Sequence, residues 1–182
     1  MSKVKLNAAS GGGSVSFEGP ASSASDKVIK YPSAATALIQ AVQTWDYTHV
    51  VLANNGDNYS QLNTNITPTS TASRILVMIS MGLVSSNGAA DIGWSLQRDS
   101  TYLGVPSGTG GTVEATFAAF MNQGSGDAFS TTLCYIDSPS TTSQVTYKVI
   151  SRANSARDMV INRRDSDNSL RGSSFMQLLE LA

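Results

Sequence analysis

The chain has 182 residues, room for one domain and an extension. Charged side chains make up only 14% of it, against roughly 25% in ordinary soluble domains, so the polar surface must come from Ser, Thr, Asn, Gln and Gly. A net charge of −1 without clustered cations leaves no electrostatic case for nucleic acid as a partner.

Residues 1–36 read as an extended, β-prone arm. Three short runs carry it, Val4–Leu6, Ser14–Phe17 and Lys27–Tyr31, separated by Gly11–Gly13 and Ser22–Ser25. Pro20 and Pro32 end the last two, because proline cannot donate to a ladder. Runs this short bury too little to form a stable sheet alone. A solvated tail is one reading. The sharper one is an assembly arm that completes its strands on other chains through Val15, Phe17, Val28, Ile29 and Tyr31. Met1–Leu6 lacks an apolar segment, so no secretory signal is expected there.

Residues 37–182 read as an all-β head. Leu38–Leu52 is a long strand or two short ones, although Ser33–Val42 also has the composition of a short helix. Asn55-Gly56 marks a turn, because the pair favours positive φ. Tyr59–Ile66 follows as a strand. Ser73–Val84 is a continuous apolar run suited to a core strand, and its apolar stretch Ile75–Val84 is about half of what crosses a bilayer, so no membrane insertion is expected. Asp91–Leu103 reads as one strand, with Trp94 on the buried parity. Val113–Met121, Phe129–Ile136, Val145–Arg152, Met159–Asn162 and Phe175–Leu181 complete the series. Turn signals every dozen residues point to a sandwich or jelly roll rather than βαβ units.

Catalytic chemistry is thin. His49 is the sole histidine, read as an ordinary strand residue, and no G-x-S-x-G motif accompanies it. Cys134 is the sole cysteine and reads as a buried, inert strand residue; with one of each, no metal site or other cofactor is expected. Asp165–Asn168 resembles the start of a calcium loop, but Leu170 and Met176 occupy the positions of its glycine and closing glutamate, which leaves a polar turn. The arginines at 152, 157, 163 and 164 read as solvated turn residues. Among the aromatics, Tyr102 is the candidate for an exposed ligand contact that could stack on a sugar.

The segments Ser10–Asp26 (SGGGSVSFEGPASSASD), Ile66–Val77 (ITPTSTASRILV) and Asn162–Leu170 (NRRDSDNSL), the last leading into the closing strand with Glu180, resemble tail-fibre-like surface proteins of tailed phages, notably marine and cyanobacterial ones. The resemblance implies a jelly-roll-like β-sandwich head, similar in outline to complement C1q and tumour-necrosis-factor heads, behind an extended arm. It implies a non-enzymatic homotrimer that contacts other tail or capsid proteins, is assembled in the host cytoplasm and resides in the virion. Host attachment through a surface glycan is the role such a head would have. The short arm departs from long tail fibres and raises the alternatives of a short fibre or a capsid decoration (cement) protein. An envelope-degrading enzyme is the distant alternative.

Overall fold

The computed structural model describes residues 3–7, 14–18, 38–53, 58–106, 115–121, 127–153, 158–167 and 169–182. The chain divides into two compact units, Met1–Ala35 and Thr36–Ala182. In the first, β1 (Lys3–Asn7) and β2 (Ser14–Glu18) pair antiparallel, with Val4 opposite Phe17 and Leu6 opposite Val15. These two runs therefore find their first ladder partner in each other.

The second unit is all-β. Its strands are β3 (Leu38–Asp46), β4 (Val50–Leu52), β5 (Thr64–Ile66), β6 (Arg74–Ser86), β7 (Ala90–Arg98), β8 (Thr101–Leu103), β9 (Phe117–Met121), β10 (Ala128–Asp137), β11 (Val145–Ala153), β12 (Met159–Ile161) and β13 (Ser174–Leu181). One antiparallel sheet runs β10–β6–β13–β3, with β12 and β4 continuing beside the far end of β6. The other runs β5–β11–β7, and β8 and β9 share the outer edge of β7. With β4, β8 and β12, which only extend the edges or an end of the sheets, set aside, the first, eighth, third and sixth strands of the head form one sheet. The second, seventh, fourth and fifth form the other. That is the double Greek-key order of a jelly roll.

A single core fills the space between the sheets. Ile75, Val77, Ile79 and Met81 of β6 and Met176 and Leu178 of β13 meet Trp94 and Leu96 of β7 and Tyr147 and Val149 of β11. Each such side chain contributes about 1.5–3 kcal/mol by leaving water. Trp94 is fully buried, on the parity its alternation with Gly93 and Ser95 predicts.

One open alternative is decided and three local expectations change. Leu38–Val42 is strand, not helix, because its backbone pairs with β13 from Val42↔Leu178 to Leu38↔Leu181, and tertiary pairing overrides local propensity. Within Tyr59–Ile66, Ser60–Leu62 forms a turn of 3-10 helix that sinks Leu62 into the core, and only Thr64–Ile66 is strand. Asp91–Leu103 is two strands, not one. The chain reverses at Asp99, whose φ of 54° is tolerated because a short polar side chain can bond locally. Its N–H donates to Thr146 O at 2.8 Å, and its Oδ1 accepts from Thr146 N at 2.9 Å. His49 lies exposed in the connection between β3 and β4 rather than within a strand. Among the described residues, no helix is long and apolar enough to cross a membrane.

Candidate functional site

The two sheets treat their outer faces differently. Antiparallel sheets ordinarily alternate apolar inward and polar outward. The β5–β11–β7–β8 sheet largely obeys, placing Asn65, Thr146, Lys148, Arg152 and Gln97 on the parity opposite the core. The β10–β6–β13–β3 sheet does not. Along β13, Met176, Leu178 and Glu180 are buried while Phe175, Gln177, Leu179 and Leu181 alternate outward. Along β6, Arg74, Leu76, Met78 and Ser80 occupy the outward parity, Arg74 at its edge.

Register assembles these side chains into rows. Ile136, Leu76, Leu179 and Ala41 form one; Cys134, Met78, Gln177 and Gln43 the next; Thr132, Ser80, Phe175 and Trp45 the third. The rows contain no charged residue. At their aromatic end, Trp45 packs on Phe175 with centroids 4.9 Å apart and stacks on Tyr47 at 5.7 Å with the rings 1° from parallel. Trp45 is 44% exposed and Ile136 53%. Cys134 is exposed on this face, which corrects the expectation of a buried thiol. In the all-apolar run Leu133–Ile136, Leu133 and Tyr135 pack on the core, so strand geometry turns Cys134 and Ile136 outward.

Buried polar anchors hold the ends of this sheet. At the end of β3, the Tyr59 hydroxyl donates to Asp46 Oδ2 at 2.5 Å. Asn162 Nδ2 lies 3.2 Å from that oxygen, 3.1 Å from Asp46 O and 2.8 Å from Thr48 O. Burial first, then the Asp46 carboxylate, push the Tyr59 phenol far above its ordinary value, so it remains a donor. At the end of β10, Asp137 Oδ2 receives the Tyr147 hydroxyl at 2.6 Å and Arg98 Nη1 at 2.5 Å. Burial and Asp137, in that order, likewise push up the Tyr147 phenol.

Glu180 anchors the end of β13. Its Oε1 accepts from Thr69 N and Oγ1, both at 2.7 Å, and its Oε2 from Gln40 Nε2 at 2.5 Å. Burial alone would raise this carboxyl; the hydroxyl of Ser73 and the donors of Gln40 and Thr69 outweigh it and hold it at about 2, below its ordinary 4.5. A depressed carboxyl stabilises the fold fully above pH 4.5 and loses that contribution as pH falls towards about 2. Thermal melting followed down this range should show the wild-type midpoint falling more steeply than that of Glu180→Gln. Parallel curves would show that Glu180 has no such role.

The sequence candidates fall in different places. Val15 and Phe17 lie in β2 of the first unit, whereas Val28, Ile29 and Tyr31 lie outside the described residues. Tyr102, on β8, is 43% exposed and faces out from the opposite sheet. Arg152 belongs to β11 rather than a turn, and its guanidinium lies over the Tyr102 ring, 4.6 Å from the centroid. Arg164 does sit in a turn, paired with Asp167 at 2.6 Å. Asn168, in the calcium-loop comparison, lies outside the described residues. No group of three or more His, Cys, Asp or Glu is placed to hold a metal among the described residues. No residue of this apolar face was named as a site residue from the sequence. Its signal was present: β6 and β13 are apolar on both parities, unlike β11.

Compared with known proteins, the chain matches no family model and no curated protein.

Proposed function

We propose that this chain is a non-enzymatic structural subunit of a tailed-phage virion, a homotrimeric fibre or short tail-fibre component. Its heads meet through the outer faces of their β10–β6–β13–β3 sheets, and the arm docks on neighbouring tail or capsid proteins. The supporting observation is the three central rows of that sheet's outer face, which are largely apolar and carry no charge, with Arg74 only at their edge. Copies that cover it gain about 25 cal/mol for each Å² of apolar surface removed from water. The amide pair in the middle row, Gln43 beside Gln177, suits another copy as well. Each amide both donates and accepts, so a copy of the same row can satisfy it. The virion setting and the threefold number rest on the sequence resemblance. The opposite, polar sheet is then the one presented to a host surface.

Light scattering on the full chain at micromolar concentration should give three copies. Met78→Arg, which sets a cation in the middle of the face without entering the core, should give single chains that keep the β-type circular dichroism. Cys134 supplies an independent readout: its thiol should react slowly with a maleimide in the parent and at least about tenfold faster in Met78→Arg. A parent that runs as a single chain with a fast-reacting Cys134 refutes the assembly. A chain lacking residues 1–35 should still self-associate yet fail to enter particles; normal incorporation would remove the docking role of the arm. Few copies per particle fit a fibre, many fit capsid decoration, and release of reducing sugar from host envelope would mark an enzyme.

A further inference from the structure

The opposite sheet carries a polar platform of different chemistry. Lys148 of β11, Gln97 of β7 and Tyr102 of β8 stand in one cross-strand row, on the parity turned away from the core. Adjacent strands are about 4.8 Å apart, so the row spans roughly 10 Å, the footprint of one or two sugar rings. Arg152 starts two rows away, opposite Gly93, and crosses the buried Ser95. Its Nε donates to Ser95 Oγ at 3.0 Å, and its guanidinium stacks on Tyr102 at 4.6 Å. This contact fixes the ring before any ligand arrives, which cuts the entropy cost of binding.

Donors dominate the platform. Lys148 and Arg152 only donate, and Gln97 does both. The nearest acid at the hairpin end, Asp99, already spends its Oδ1 on the Thr146 N–H. Asp91 lies one row beyond Arg152 and has its own interaction. An exposed aromatic ring braced by Arg152, with Gln97 and then Lys148 along the same row, suits a ligand with an apolar ring face and an acceptor-rich, anionic rim.

We propose that this platform binds an acidic saccharide of the uronic-acid type. The sugar ring packs against Tyr102, and its carboxylate and hydroxyls accept from Lys148, Gln97 and Arg152. The inference rests on the reading that the other sheet is turned towards neighbouring copies, which leaves this one outward.

The test is isothermal titration of the full-length protein with a galacturonate oligosaccharide, and with a neutral glucose oligosaccharide of equal length, alongside light scattering. The acidic sugar should bind at least about tenfold more tightly than the neutral one, and more weakly as salt rises. Tyr102→Ala should lose about tenfold or more, Tyr102→Phe should keep most of the affinity, and Lys148→Gln should weaken binding and flatten its salt dependence. No saturation below ~1 mM of the acidic sugar overturns the proposal. So does equal binding of the neutral sugar, or unchanged binding by Tyr102→Ala. A trimer that binds neither sugar sinks this site and leaves the assembly standing. A single chain that binds the acidic sugar does the reverse.

Discussion

Replacing Gly82 with alanine should prevent the head from reaching its native structure, or cost more than about 4 kcal/mol. A Cβ at this position would lie 1.9 Å from Ser173 O, 2.5 Å from Ser173 C and 2.6 Å from Ser173 N. All three are backbone atoms that no rotamer change can move. The crowding has a topological origin. On one edge, the register of β6 against β10 slips between Phe129↔Val84 and Thr131↔Met81, a β-bulge that places Gly82 and Leu83 opposite Ser130. On the other edge, β6 exchanges β13, paired as far as Ser80, for β12, paired from Val84. The chain between those two strands must pass directly over Gly82. Gly82 N also donates to Ser174 Oγ at 3.0 Å there. Gly172→Ala is the natural comparison. Its added methyl would meet Gly82 C at 3.0 Å and Leu83 Cβ and N at 3.1 Å, so the neighbouring backbone need give by only a few tenths of an ångström. Its loss should be only about 1–2 kcal/mol. Urea unfolding of both variants measures the difference, and a Gly82→Ala protein as stable as the parent would refute the close approach.

Asn162→Ala should lower stability by about 3 kcal/mol, roughly 6–12 °C in Tm. Asn162 is buried, and three elements meet at its amide. Nδ2 reaches Asp46 and Thr48 at the end of β3 and the Tyr59 hydroxyl, while Oδ1 accepts from Ser174 Oγ at 2.8 Å at the start of β13. Its backbone ties the same region to β6, because Asn162 N donates to Leu83 O at 2.7 Å. Removing the amide leaves Asp46 and Ser174 buried with fewer partners, and buried polar groups without partners are costly. The residue also sits at φ 64°, in the left-handed region. Asn162→Gly separates the two effects, since glycine adopts that φ freely but restores no hydrogen bond. Calorimetry should find the glycine variant nearly as destabilised as the alanine one. Recovery close to the parent would mean that backbone conformation, and not the polar network, sets the cost.

The all-β class was legible from the chain because its signals are local. Val145, Tyr147 and Val149 alternate with Thr146 and Lys148, and β11 runs through them with the odd positions buried. The jelly-roll expectation also agrees with the observed strand order. Where composition was neutral, neighbours decided. Leu38–Val42 has no strong strand preference of its own and is extended because β13 supplies a ladder. The Asp99 reversal was missed although Gln97–Thr101 are five polar residues in a row, because that run holds no Gly, Pro or Asn, and the deciding bonds come from Thr146, distant in sequence.

By itself, then, the amino-acid order determined the all-β class, most of the strand segments, that Trp94 is buried, and that charged residues are few. Only the tertiary structure decided which side of β6, β10 and β13 looks outward. In Leu133–Ile136 or Ile75–Val84 both parities are apolar, so periodicity has no contrast to read, and the partner across the core selects the buried side. The same holds for Gly82, Asn162 and Glu180. Their neighbours Ser173, Asp46 and Thr69 are brought to them by strand crossing, and no local pattern encodes that meeting.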